Sequence, residues 1–497
     1  MMTFSQTPAA RRAGVRWAVR TTWLLGLTFL TAAVGSRAEA EVSLASVFTD
    51  GMVLQRDRPV PVWGQAEPGS KITVSIQDRT AEAVADATGA FRAVLPPLEA
   101  GGPFTLKVEG DGALERTDVL VGEVWICSGQ SNMQWSFKML RDAETPAQSS
   151  NPRIRLLTVA RKGAATPQTA FEGRWVACGP ETLGDFSAVA YYFGRLLERE
   201  LEVPVGLIST NYGGTPAEAW TRRDTLASYP ELAYYTQNLD ERLAKLEADG
   251  KGLKNEPSVL YNGMIAPLVP YAIRGAIWYQ GESNAGRAYE YRTLFPAMIH
   301  DWRAAWGQGD FPFLFVQLAP FKKIVESPQE SDWAELREAQ ALTAKIVPQT
   351  AMAVITDVGD PNDIHPRKKQ PVGERLAKAA LGMTYGLDVA YTGPMYDALT
   401  IKGNEAIITF VGFAGGLVAR DGPLTGFAVA GPDGVFVNAQ ARIEGNSVVV
   451  SAPEVAHPVA VRYGWADCPV LNLFDEAGLP ASPFRTDQAP GVTRKPR

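Results

Sequence analysis

Two stretches of the chain share a core. Val124–Trp135 reads VWICSGQSNMQW and Ala276–Gly286 reads AIWYQGESNAG. In each, an apolar run breaks into glycine, then Gln or Glu, then Ser-Asn, so Ser131 and Ser283 stand in like settings and either could be a nucleophile. A serine hydroxyl attacks a carbonyl only with a base in hydrogen-bond reach, and near neutral pH that base is most often histidine. Only His300, His365 and His457 are available.

His300 lies in a helical pattern, Met298-Ile-His-Asp-Trp-Arg, and His457 in a β-patterned region distant in sequence from both serines; structural roles suit them. His365 falls in Asp357-Val-Gly-Asp-Pro-Asn-Asp-Ile-His-Pro, a loop between an apolar strand and a helix. Ligands of open parallel sheets collect where loops leave the carboxyl ends of strands. Ser131 also follows a strand and begins a helical stretch, Met133 to Leu140, where free backbone N–H groups could stabilise an oxyanion; an ordinary N-cap is the plain alternative. Tyr212-Gly213-Gly214-Thr-Pro follows another strand, and paired glycines either let backbone approach a ligand or simply turn the chain. Gln280, Glu282 and Asn284 end a further strand. Four strands thus deliver polar or glycine-rich loops to one rim, the arrangement a hydrolase needs.

The elements that must position these loops read as three regions. From Val42 to about Leu120, short alternating runs separated by Gly and Pro clusters predict a small antiparallel β-sandwich, residues 41–120. Residues 121–386 alternate apolar runs with helical stretches and predict an α/β domain with a parallel sheet. Its strands are expected at Val121–Cys127, Val205–Ser209, Ala272–Tyr279, Phe313–Gln317 and Ala351–Thr356. Its helices are expected at Ser187–Glu200, Leu232–Asp249, Glu290–Trp306, Trp333–Ile346 and Pro371–Leu381. Alternation returns over 387–487, a C-terminal β-rich domain, and 488–497 reads as a disordered tail.

Residues 1–40 are a separate matter. Arg11, Arg12, Arg16 and Arg20 form a basic start, Trp23–Val34 an apolar run too short to span a bilayer, and Ala38-Glu39-Ala40 a small-x-small cleavage pattern. This predicts a signal peptide cut near Ala40 and a periplasmic or secreted enzyme. Removing these residues takes five arginines and one glutamate from a net charge of −6 and leaves −10, a poor fit to nucleic acid or anionic membranes. Cys127, Cys178 and Cys468 are widely spaced, which excludes a dense disulfide framework or zinc knuckle but leaves one disulfide open. The chain has no phosphate loop, no H-E-x-x-H helix and no G-x-G-x-x-G after a strand, and Asp357, Asp360 and Asp363 lack calcium-loop spacing, so neither cofactor nor metal is expected.

Five motifs stand in order: Trp125-Ile-Cys-Ser-Gly-Gln-Ser-Asn-Met, Tyr212-Gly-Gly-Thr-Pro, Leu260-Tyr-Asn-Gly-Met-Ile-Ala-Pro-Leu, Ile277-Trp-Tyr-Gln-Gly-Glu-Ser-Asn and Asp363-Ile-His-Pro. Together they resemble the sialate O-acetylesterase family, a branch of the SGNH hydrolases related to family 6 carbohydrate esterases, over about Val42 to Asp487. The resemblance implies a flavodoxin-like hydrolase core between β domains, removing acetyl groups from sugars without a cofactor. It makes Ser131 the nucleophile and His365 the base. It implies an oxyanion site from the Ser131 N–H, a glycine of Gly213-Gly214 and the Gln280 side chain, with Glu282 shaping the sugar pocket. The acid departs from the wider superfamily, whose aspartate three before the histidine is Asn362 here. Asp363 agrees with the sialate branch; Asp360 and a Ser-His dyad are the alternatives.

The expected activity is release of acetate from O-acetylated sugars. An acetylxylan or other plant-polysaccharide esterase and a non-catalytic carbohydrate-binding protein are the competing readings, the latter opposed by the presence of both Ser131 and His365. Arg222 or Arg287 could meet a sialate carboxylate, and Trp220, Trp278 and Tyr279 could stack on sugar or fill the core.

Overall fold

The computed structural model describes residues 41–140 and 150–494; the expected signal peptide lies outside them. Seven strands form the central part of the largest sheet: β1 (Ala113–Gly129), β2 (Asn151–Thr158), β3 (Trp175–Cys178), β4 (Val205–Asn211), β5 (Gly275–Tyr279), β6 (Phe313–Val316) and β7 (Thr350–Ala353). Their order is β3-β2-β4-β1-β5-β6-β7, with every neighbouring pair parallel except β3 against β2. The chain therefore winds out to one side of β1 through β2 and β4, then crosses to the other side through β5, β6 and β7. Such a reversal opens a crevice at the carboxyl ends of the flanking strands, here β1 and β5.

Both faces are buried, which is why these strands read as near-continuous apolar runs. Val124, Ile126, Ala276, Trp278, Phe313 and Phe315 point to one face and join helices α4 (Ala288–Trp306) and α5 (Asp332–Ile346). The alternate residues Trp125, Cys127, Ile277, Tyr279, Leu314 and Val316 point to the other, against α2 (Ala188–Leu201) and α6 (Lys369–Ala379). Two further helices matter below: α1 (Ser131–Gln134), a single turn, and α3 (Leu239–Ala248). The long helix expected over Leu232–Asp249 is broken, with a 3-10 turn at Ala233–Thr236 and Asn238 in the left-handed region before α3.

The described residues from 41 on belong to one compact unit. β1 shows why: its first half pairs antiparallel with Gly101–Glu109, and its second half is the central strand of the parallel sheet, so the boundary expected at 120/121 falls inside one strand. Glu123, at that junction, is fully buried and accepts from Gln55, Arg56 and Arg274. Burial alone would raise its pKa, but the Arg274 pairing and the Arg56 and Gln55 hydrogen bonds hold it below the ordinary range. Beyond α6, strands from Met395 to Arg485 form two four-stranded sheets and one two-stranded sheet around Ile408, Val429, Val448, Val461 and Tyr463. The expected disordered tail is fastened in its described part: the Val492 and Thr493 N–H groups donate to Glu335 of α5 at 2.5 and 3.2 Å. Nothing in its polar composition signalled that its backbone would meet Glu335, a buried carboxylate of α5. Cys127, Cys178 and Cys468 form no disulfide.

Candidate active site

β1 ends at Gly129, whose φ of +136° and contact with β5 demand glycine: a Cβ there would lie 2.2 Å from the Tyr279 carbonyl oxygen. The chain then turns, with Gln130 N–H donating to that same oxygen at 2.9 Å, and α1 starts at Ser131. The two Gly-x-Ser-Asn loops meet here. Gln130 Oε1 accepts from the Ser283 N–H at 3.2 Å, so the second loop supports the first through backbone.

Two residues that follow Ser131 reach across to the His365 loop. Asn132, fully buried, donates from Nδ2 to Glu282 Oε1 at 2.5 Å and to the Ile364 carbonyl at 3.0 Å. Trp135, one turn along from Ser131, stacks its ring on the His365 imidazole with centroids 4.4 Å apart and an interplanar angle of 21°. The structure thereby brings Ser131 and His365 to one rim from strands β1 and β7. Among the described residues no hydrogen bond joins Ser131 Oγ to the His365 ring, which lies flat on the indole. Such bonds are often long in ligand-free enzymes and tighten on substrate binding.

Asp363 Oδ1 accepts from the His365 backbone N–H at 2.9 Å and lies 3.7 Å from Nδ1 of its ring. Asp360 instead accepts from the Asn362 N–H at 2.8 Å, and Asp357 pairs with Arg375. Of the three aspartates, Asp363 is the one at the imidazole. The His365 pKa is pushed below its ordinary value, chiefly by burial and next by the nearby Lys369 charge, while Asp363 works the other way. His300 and His457 are exposed, one on α4 and the other in the C-terminal β region.

The glycine loop after β4 lies against Ser131. A Cβ on Gly213 would lie 3.3 Å from Ser131 Cβ, so backbone is pressed against the serine. Gly213 N–H donates to Gln134 Oε1 at 2.7 Å, its carbonyl accepts from Lys254 Nζ at 3.0 Å, and Gly214 follows with φ +72°.

Gln280 does not face the crevice. It is fully buried, donating to Asn284 Oδ1 at 2.6 Å and Thr215 O at 3.3 Å and accepting from the Tyr291 hydroxyl at 2.9 Å. Every polar atom of the amide is used beneath the rim, so it braces the β5 loop rather than meeting an oxyanion. Glu282 also points inward. Its Oε1 holds Asn132, its Oε2 has no partner and no solvent contact, and burial raises its pKa. Trp220, Trp278 and Tyr279 are wholly buried, with Trp220 packed edge-on against Trp278, and all three are core. Arg222 is paired with Asp301 and Arg287 with Glu218, so neither is an unpaired cation awaiting a carboxylate.

Three residues near Ser131 escaped the sequence reading. Gln134 and Trp135 belong to the same motif and could have been found from their spacing, three and four residues along a helix from Ser131. Lys369, fully buried with Nζ donating to Asn132 Oδ1, carried no signal, standing beside Arg367 and Lys368 in what reads as a solvated basic run.

The family model described as carbohydrate esterase, sialic acid-specific acetylesterase, matches residues 121–382, which hold every residue placed at the site. Human sialate O-acetylesterase is 29% identical over 503 residues, covering 90% of this chain and 93% of that one. The rat sialate O-acetylesterase is 31% identical over 435 residues, covering 75% and 79%. Among solved structures, a carbohydrate acetylesterase from Xanthomonas citri is similar at 40% identity with a TM-score of 0.82, covering 90% of this chain and all of that one. The chain is a carboxylic ester hydrolase, and it belongs to the sialic acid-specific acetylesterase family of carbohydrate esterases.

Proposed function

We propose that this protein is an exported carbohydrate O-acetylesterase of the sialate O-acetylesterase type, working by Ser131–His365 acyl transfer on an SGNH-type core. The observation that carries the reading is the junction at α1: Ser131 heads the helix, while Asn132 and Trp135, which follow it, grip the loop of His365. Ser131 Oγ attacks the acetyl carbonyl as His365 takes its proton. The tetrahedral intermediate collapses as His365 protonates the departing sugar alcohol, and a water activated by the same imidazole releases acetate from the acyl-serine. Asp363, near Nδ1, orients the ring with Nε2 toward the serine and stabilises the imidazolium.

The oxyanion would be met by the Ser131 N–H and the Gly213-Gly214 backbone. Gly213 N–H already donates to an amide oxygen, that of Gln134, beside Ser131; the acetyl oxygen would take that place. Loss of one such donor typically removes roughly 3–4 kcal/mol of transition-state stabilisation. Lys254, donating to the Gly213 carbonyl and 5.1 Å from the centre of the Tyr212 ring, puts a cation beside the crevice, which suits an acidic sugar. The basic and apolar pattern of residues 1–40 supports action in the periplasm or outside the cell.

Acetate release from O-acetylated sialic acid and from acetylated xylan, measured side by side, tests the reading. The expected result is faster release from the sialic acid and none above background in Ser131→Ala. A preference for xylan would move the substrate class to plant polysaccharide, and activity surviving in Ser131→Ala would overturn the mechanism.

A further inference from the structure

Lys369 takes no part in the acyl transfer above, yet its ammonium lies wholly buried beneath the site. Two costs oppose that placement. Taking a cation out of water is expensive, and Lys369 opens α6, where the positive end of the helix dipole disfavours it. Burial depresses its pKa to about 7, the Glu282 and Asp363 carboxylates acting the other way. What holds it is a closed set of groups. Nζ donates to Asn132 Oδ1 and lies 5.9 Å from the ring centre of Trp135 and 5.4 Å from that of Tyr279.

The consequence follows from donor and acceptor inventory. An ammonium only donates, so it fixes which end of the Asn132 amide is oxygen. With Oδ1 facing Lys369, Nδ2 must face Glu282 Oε1 and the Ile364 carbonyl, as it does at 2.5 and 3.0 Å. Ile364 directly precedes His365, and Asn132 directly follows Ser131. We propose that Lys369 is a positioning residue of this esterase: it sets the orientation of the Asn132 amide, and the amide clamps the His365 loop to the helix that carries Ser131. The inference rests on the Ser131–His365 reading.

The same ammonium acts on His365 through space, where the charged groups facing the imidazole are Lys369 from α6 and Asp363 from its own loop, with Glu282 beyond Asn132. Lys369 opposes the imidazolium, so removing its charge must raise the pH at which His365 titrates.

The test is Lys369→Met in the full chain, read by aryl acetate kinetics against pH and by NMR titration of the histidines, His365 being assigned from a His365→Gln spectrum. The expected result is a kcat lower by about tenfold or more with KM within about twofold, and a His365 titration displaced upward by about half a pH unit or more, with the acidic limb of kcat/KM following it. A folded methionine variant with wild-type kcat and an unmoved His365 titration would overturn the proposal. Lys369→Arg, which keeps the charge and the donor, carries the test if the methionine variant does not fold: it should leave the His365 titration in place, and a displaced titration in a folded arginine variant counts against the role. The NMR arm does not depend on activity, whereas Ser131→Ala kinetics judge the underlying reading, so the two failures are distinguishable.

Discussion

At the scale of single residues, the candidate triad makes a specific claim about its acid. Asp363 lies 3.7 Å from the His365 ring and binds the His365 backbone, whereas Asp360 is committed to the Asn362 N–H. Asp363→Ala is expected to lower kcat/KM by about tenfold to a thousandfold, and Asp360→Ala by less than about threefold. The sign of the pH effect is also fixed. Asp363 raises the His365 pKa, so its removal shifts the acidic limb of kcat/KM to lower pH, the opposite of the Lys369→Met effect; equal losses in both aspartate variants would contradict the assignment. His365 stood out in the sequence because the chain has only three histidines and this one follows a strand, and Ser131 because it too follows a strand; the acid was left between Asp363, Asp360 and none. Lys369 did not stand out, because a lysine among Arg367 and Lys368 looks solvated until the fold buries it. Gln280 misled for the converse reason: it ends a strand at the right rim, but only its partners Asn284, Thr215 and Tyr291 reveal that it points underneath.

At the scale of elements, the site depends on how closely β1 and β5 pass at their carboxyl ends. Gly129→Ala would set a Cβ 2.2 Å from the Tyr279 carbonyl at a φ of +136°, and backbone cannot yield there as a flexible side chain would. The expected cost is about 2–4 kcal/mol of stability together with a displaced Ser131, measured as a lower denaturant midpoint and a kcat reduced about tenfold or more. An alanine variant as stable and active as the parent would show that the turn has more room than the geometry allows. The five strands with long apolar runs were readable from pattern, as were α2, α4, α5 and α6 within a few residues. β2 and β3 were not: β2 begins Asn-Pro-Arg and interleaves arginine with apolar residues, and β3 is four residues closed off by Arg174 and Gly179, without the apolar extension that marks the equally short β6 and β7. The break at Asn238 was hidden because the apolar residues Leu232, Tyr235, Leu239 and Leu243 recur at helical spacing across it.

At the scale of the whole molecule, the β-rich regions are tied to the core through specific groups. β1 runs through both the N-terminal sheet and the parallel sheet, and Glu123 gathers Gln55, Arg56 and Arg274 at their junction. On the other side, Arg337 of α5, wholly buried, donates to the Ala466 and Asp467 carbonyls, and Arg485 pairs with Glu338. The last described residues complete this clasp through Glu335. Deleting 488–497 would leave that buried carboxylate without its three donors, at about 1–3 kcal/mol or more, so the melting temperature should fall by a few degrees while kcat is kept. An unchanged melting temperature would show the tail to be dispensable. Sequence pattern announced three regions but not these links, since a boundary inside a continuous strand leaves no composition change to read.

The central claim is that Ser131, and not its twin Ser283, forms the acyl-enzyme. Reaction with an aryl phosphonate ester, followed by peptide mapping, tests it most directly, because the adduct records which oxygen attacked. A single adduct on Ser131 is expected, formed far more slowly in His365→Ala; an adduct on Ser283, or one on Ser131 that forms equally fast without His365, would contradict that role.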